Sequence, residues 1–358
     1  MNAEEKLEEL KAKGIPVYSF SRLSSFHNCE YEYYNTYILG KKGIDNVYTI
    51  LGSTLHENIE NVSLGKIDVD TFKKNYENKL IELEVLGINF PNETIKSRWI
   101  KDVEHFISNF TPMKGKMAIE TLILFNLKGV WLHGYVDCIV PSEKGYPYVN
   151  VIDWKTSSKF SGKKLIEAGR QLIMYKLGIE STSNMKVDKL MWNMIKYVNV
   201  HIKQKNGKVK TKMCSRGKWV KEIKKQLEEK LYQLNMNDFE VELLIDKAVE
   251  ENNLNCMPKA IQEQFWLEDC LVEYEATEDR IEEFEQYIIN TVKQIENKSN
   301  DEKEWKAIEI DQTNSFYCGV LCPHRKNCKF YKAFLEENAN NFKEKNDANE
   351  IDFNKLFG

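Results

Sequence analysis

Gly134-Tyr-Val-Asp137-Cys-Ile-Val-Pro-Ser-Glu-Lys-Gly145-Tyr-Pro-Tyr-Val-Asn-Val-Ile-Asp153-Trp-Lys155-Thr156 is two apolar runs around a turn. Tyr135, Val136, Cys138, Ile139 and Val140 form the first run, and Tyr148, Val149, Val151 and Ile152 the second. Pro141, Ser142, Gly145 and Pro147 between them are turn formers, so the stretch predicts a β-hairpin. It places an aspartate on the first strand and an Asp-x-Lys at the end of the second. Successive strand side chains alternate faces, so Asp153 and Lys155 share one. Two acids and a lysine gathered on one sheet face are costly unless a divalent cation sits among them.

Outward from this hairpin the period-two pattern continues. Glu120 to Leu127 reads as a strand, Gly129 turns, and Val130 to Val140 is the next, giving a three-stranded meander with Tyr148 to Trp154. Downstream, Leu165 to Gly178 reads as a helix with Gln171 and Tyr175 on one face, and Leu190 to His201 as a further strand. Upstream, residues 1–13, 69–86 and 93–110 read as helices, and Gly52-x-x-x-His56 opens another in which His56 and Glu60 share a face. Ser21 or Ser24 is the expected cap of a helix running to about Leu39, with Cys29 inside it. Residues 217–250 and 278–297 have helical period.

The bulk numbers bound the class. The 358 residues suffice for a large core, and 42% hydrophobic with 30% charged content is that of an ordinary globular chain. A net charge of −4 excludes a global nucleic-acid footprint, so any DNA surface must be a local patch. One such patch is Lys203–Lys212, with five lysines and no acid, which reads equally as a phosphate contact and as a solvated turn. No apolar run reaches 18 residues and the N-terminus has no secretory pattern, so a cytoplasmic protein with no membrane contact is expected. No Walker-type phosphate loop is present.

Asp137, Asp153 and the Trp154 carbonyl are oxygen donors suited to Mg²⁺ or Mn²⁺, and Lys155 could orient a water or neutralise developing charge. Taken alone, the Asp-x-Lys also reads as a surface salt bridge at a hairpin end. The wider order of motifs decides otherwise. Gly52-x-x-x-His56, Gly134-x-x-Asp137, Ile152-Asp-Trp-Lys155-Thr and Gln171-x-x-x-Tyr175 together closely resemble the PD-(D/E)XK nuclease superfamily, in its RecB-like exonuclease branch. The resemblance covers about residues 18–60, 118–178 and 316–332. It implies an α/β fold: a restriction-endonuclease-like core with a central mixed sheet flanked by helices. A mainly helical insertion is expected over about 180–315, with the core at 18–178 and 316–335 and a polar tail at 339–358. The resemblance further implies that His56, Asp137, Asp153 and the Trp154 carbonyl bind metal. Lys155 is then the catalytic lysine, and Gln171 and Tyr175 position DNA or the active-site groups. Glu120 is a weaker outer-shell candidate. Asp153 stands where many members carry Glu.

The cysteines form a second constellation. Cys318-Gly-Val-Leu-Cys322-Pro-His-Arg-Lys-Asn-Cys328 places three thiols within eleven positions. Four thiolates suit zinc or an iron–sulfur cluster, and Cys29 is the available fourth donor. RecB-like exonucleases of the iron–sulfur type are similar, with one cysteine before the core and three after it on a [4Fe–4S] cluster. The Cys318–Cys322 gap is one residue longer than usual, and His324 is an alternative ligand that would favour zinc. Such a cluster would act as a staple closing nearly the whole chain. The activity implied is metal-dependent exonucleolytic hydrolysis of DNA, with single-stranded ends as substrate. Roles in recombination, repair or CRISPR processing, with their partner proteins, go with it. The rival reading is a non-catalytic iron–sulfur or zinc DNA-binding module with a degenerate core.

Overall fold

The computed structural model describes residues 2–112 and 115–338; the tail read at 339–358, with Ile351, Phe353, Leu356 and Phe357, lies outside the described residues. The chain packs as two compact units.

Among the described residues, the first unit takes 2–50, 124–134 and 279–338. It holds α1 (Ala3–Ala12), β1 (Val17–Ser19), α2 (Phe20–Asn28) and α3 (Glu30–Tyr33), followed by a π-helical turn, Tyr34–Ile38. Its core is aromatic. Trp305 is 2% exposed and stacks on Tyr33 at 5.7 Å and on Tyr34 at 5.6 Å, with Phe26 edge-on at 6.3 Å. The expected single helix through Cys29 is corrected. Ser19, not Ser21 or Ser24, caps α2 by accepting from the Arg22 amide, because Ser19 ends β1 in the extended conformation a cap needs. Cys29 is itself extended at φ −164° and ψ 112°, breaking the helix between α2 and α3.

The second unit takes residues 51–123 and 135–278. The chain runs α4 (Val47–Ser63), α5 (Val69–Val85), α6 (Glu93–Ser108), β2 (Ala118–Leu127), β3 (Val130–Pro141), β4 (Tyr148–Lys155) and α7 (Gly162–Thr182). It continues through β5 (Lys186–Lys203), β6 (Val209–Ser215), α8 (Trp219–Glu222), α9 (Lys224–Tyr232), α10 (Asp238–Glu251), α11 (Lys259–Gln262) and β7 (Phe265–Tyr274). Back in the first unit, α12 (Glu278–Glu296) and α13 (Lys329–Glu337) complete the order.

The strands form one mixed seven-stranded sheet in the order β1-β3-β4-β5-β6, with β2 beside β3 and β7 beside β5. This is the central mixed sheet flanked by helices that the sequence implied. The meander is present, and β4-α7-β5 is a parallel crossover of the kind that requires a helix to return the chain. Gly169 lets α7 lie close to β7, since a Cβ there would sit 2.1 Å from the Tyr274 ring. Residues 180–315 are rich in helix yet also supply β5, β6 and β7. The region read as one helical stretch at 217–250 is broken after α9. Asn235 takes φ 59°, and Asn237 starts α10 with a reciprocal cap to Glu240.

Candidate active site

Strand register brings the first acids together. Cys138 pairs with Ile152 across β3 and β4, so one more step along the antiparallel ladder sets Asp137 opposite Asp153. The Trp154 amide donates to Asp137 Oδ2 at 2.9 Å. Asp153 is 1% exposed and accepts no hydrogen bond among the described residues, although Lys155 Nζ stands 2.7 Å from its Oδ2 as an ion pair. Two carboxylates buried side by side repel. Burial, and then the Asp153 charge, hold the Asp137 carboxyl well above the ordinary carboxylate range.

The remaining groups converge from neighbouring elements. Lys155 Nζ donates to Gln171 Oε1 at 3.0 Å, and Gln171 Nε2 donates to Tyr175 Oη at 2.8 Å. The helical i, i+4 spacing of Gln171 and Tyr175 on α7 therefore builds a relay ending on the lysine. Burial, with the Asp153 and Asp137 charges behind it, pushes the Tyr175 hydroxyl up, so it stays protonated. From α4, His56 Nδ1 comes within 3.4 Å of Asp137 Oδ2. Gly52, one turn earlier, packs beside Thr156, where a Cβ would be 3.6 Å from its hydroxyl. Burial lowers the His56 pKa against the raising effect of Asp153, leaving the ring neutral and able to ligate. A hydrogen bond to the Trp154 backbone orients it.

All the residues predicted for this site, His56, Asp137, Asp153, Trp154, Lys155, Gln171 and Tyr175, are thus gathered at the carboxyl end of β4. Glu120 comes closer than its outer-shell reading allowed. One ligand atom each from His56, Glu120 and Asp137 all lie within 4.8 Å of one another, a set that could hold a metal ion. Glu120 sits at φ 47°, an uncommon conformation for a side chain of this kind and a frequent mark of functional sites. Burial, then Glu60 and Asp153, raise its pKa. Sequence reasoning set Glu60 on the His56 face without giving it a role and passed over Glu57; both line an open pocket with Gly52, Ser53, His56 and Glu120. Their i, i+3 spacing on the His56 helix was the available signal.

The four cysteines all belong to the first unit. Cys318 and Cys322 are buried, and Cys29 and Cys328 are half-buried. Burial and the facing Cys29 and Cys328 push the Cys318 thiol up to about 12. The Cys322 thiol rises as well, through burial, Glu32 and Cys29. The cysteine loop is clamped: Arg325 donates to the carbonyls of Ile44 at 2.6 Å and Asp45 at 2.8 Å, and Tyr317 Oη donates to Glu32 at 2.6 Å. His324 Nε2 is 2.8 Å from the Thr36 hydroxyl. Among the described residues, no three of these side chains meet as closely as His56, Glu120 and Asp137 do.

No helix among the described residues is long and apolar enough to cross a membrane. A family model for the PD-(D/E)XK nuclease superfamily matches residues 17–329, and the chain belongs to that superfamily. A search of curated proteins returned no match.

Proposed function

We propose that this member of the PD-(D/E)XK superfamily is a divalent-metal-dependent DNA exonuclease whose working groups are His56, Glu120, Asp137, Asp153, Lys155, Gln171 and Tyr175. The observation that carries the reading is Asp153, a carboxylate 1% exposed and set opposite the second buried carboxylate of Asp137, with Lys155 at 2.7 Å as the cation beside them. Two buried carboxylates facing one lysine are costly unless further positive charge is brought to them. The donor set is imidazole, carboxylate and the Trp154 carbonyl, which fits Mg²⁺ or Mn²⁺. A cation bound there supplies Lewis-acid charge at a phosphate oxygen and lowers the pKa of bound water.

The chain's own residues do the rest. Asp137 is fixed by the Trp154 amide and His56 by the Trp154 backbone, so both ligand groups are oriented before substrate arrives. Lys155, tethered to Gln171 and paired with Asp153, holds positive charge where negative charge grows on the scissile phosphate. Tyr175 keeps its proton and fixes the Gln171 amide, so Gln171 offers Lys155 its oxygen. A DNA end as substrate, and a role in recombination, repair or nucleic-acid processing, follow from the resemblance to RecB-like enzymes.

The thiols support a second assignment, a structural [4Fe–4S] cluster on Cys29, Cys318, Cys322 and Cys328. Cys318 feels the charges of Cys29 and Cys328, and Cys322 that of Cys29, which supports one group shared among them. The preference for iron–sulfur over zinc follows from the resemblance to the iron–sulfur RecB-like enzymes.

End-labelled single- and double-stranded DNA incubated with Mn²⁺ tests the activity. Stepwise shortening by wild type and none by Asp153→Ala is expected; equal behaviour of the two refutes it. Iron in stoichiometric amount with an absorbance shoulder at about 400 nm tests the second assignment. Colourless protein carrying zinc refutes that assignment.

A further inference from the structure

The lysine-rich stretch after β5 has no part in the site above. There β5 and β6 close a hairpin, with Ile202 opposite Lys210 and Lys203 opposite Val209. Its turn is tight: Gln204 N donates to Lys208 O at 2.7 Å, and Gly207 takes φ 78°, a conformation that favours glycine. Lys203, Lys205, Lys208 and Lys210 are all exposed.

Among the described residues none of these four lysines makes an ion pair. Elsewhere in the same unit lysines are matched along helices, as Lys163 with Glu167, Lys176 with Glu180, Lys218 with Glu222 and Lys247 with Glu251. A hairpin of unmatched like charge repels itself and is not held by its own electrostatics. It is held by its base. Val198, Val200, Ile202 and Cys214 are buried in a core shared with α8, α9, α10 and α11. Lys230 Nζ donates to the Lys203 carbonyl at 2.7 Å and to Gln264 Oε1 at 2.6 Å. The arm is positive, anchored and presented to solvent.

Its distance from the chemistry is set by the sheet. Lys155 on β4 pairs with Met194 on β5, and Lys203 lies nine residues further along the same strand. The direct count is shortened by a bulge, because the five steps from Asn193 to Val198 face only the two from Leu271 to Asp269 on β7. Along β7 the span from Asn193 to Ile202 is six residues, roughly 20 Å at about 3.3 Å each. Duplex DNA rises about 3.4 Å per base pair, so roughly six base pairs span it.

We propose that the β5–β6 hairpin is a phosphate-binding arm. It grips the backbone of duplex DNA about six base pairs from the end held at Lys155, which rests on the nuclease reading of that site. The probe is a series of fluorescein-labelled duplexes of about 4 to 24 base pairs with a short single-stranded end, bound in Ca²⁺ and followed by anisotropy. Wild type should gain affinity in a step above about six base pairs. The variant Lys203→Ala/Lys205→Ala/Lys208→Ala/Lys210→Ala should lose that step and bind the longest duplex about tenfold or more weaker. Its log–log salt slope should be shallower by roughly three to four, at about 0.9 per phosphate contact. The matching Lys→Arg variant should restore both, which separates lost charge from lost fold. Cleavage of a six-nucleotide single strand should be unchanged by the arm variant. If the alanine variant binds every length as wild type does, the arm is refuted, even if it loses binding to a polyglutamate probe. If wild type cleaves nothing yet shows the length step and the slope difference, the arm stands and the nuclease reading falls.

Discussion

Replacing Asp153 with asparagine separates the metal's contribution from the fold's. Asp153 accepts no hydrogen bond, so none is lost on substitution. Two electrostatic terms change with opposite signs. The ion pair to Lys155 at 2.7 Å disappears, but Lys155 keeps Gln171 and is 23% exposed, so it is not stranded. The repulsion on Asp137 also disappears. At an effective dielectric of about 20, charges roughly 6 Å apart interact by about 3 kcal/mol, comparable to the net value of a partly buried pair. The metal-free variant should therefore melt within about 4 °C of metal-free wild type. The metal response should differ sharply. At Mn²⁺ 100-fold above Kd, wild type gains about 2.7 kcal/mol, or roughly 5–11 °C at 2–4 °C per kcal/mol. A hundredfold weaker site in Asp153→Asn gains only RT ln 2 at the same concentration, about 0.4 kcal/mol or roughly 1 °C. Differential scanning fluorimetry with and without Mn²⁺, beside a cleavage assay, reads both. A variant that keeps the full Mn²⁺ shift, or cleaves DNA at the wild-type rate, refutes Asp153 as a ligand.

Three further outcomes follow. Lys155→Met should keep the Mn²⁺ stabilisation but lose cleavage by about 10²–10³-fold, read in single-turnover kinetics, because its charge acts on the reacting phosphate. The pH dependence has a definite sign. Asp137 is raised in the folded, metal-free protein, so the fold binds that proton more tightly than the unfolded chain does. The contribution of Asp137 to metal-free stability is therefore greatest at low pH and is lost as pH climbs from the ordinary carboxylate range through the raised value, so Asp137→Asn should flatten that part of the pH profile. Mn²⁺ competes with the same proton, so its affinity by isothermal titration should weaken as pH drops through that window. Cys322→Ser should remove most of the iron and the visible absorbance and lower the melting temperature, whereas Cys256→Ser, outside the thiol group, should change neither.

What the sequence determined by itself was chemistry carried within a few residues of chain. The two-residue period of a strand places Asp153 and Lys155 on one face, and the helical period aligns Gln171 with Tyr175; both hold in the structure. The grouping of Cys318, Cys322 and Cys328 was legible for the same reason. Tertiary structure alone decided what closes over long separations. Glu120 looked peripheral because nothing near it in sequence marks it; pairing of β2 with β3 and the fold around them bring it to His56 and Asp137. The break at Cys29 depends on where β1 ends and lets α2 begin, so its serines misled a reading by local capping preference. The lysines of the β5–β6 hairpin were visible as a charge run, but their lack of partners and their distance from Lys155 are properties of the sheet. Local periodicity is a property of covalent geometry, whereas burial and register are settled only when the whole chain packs.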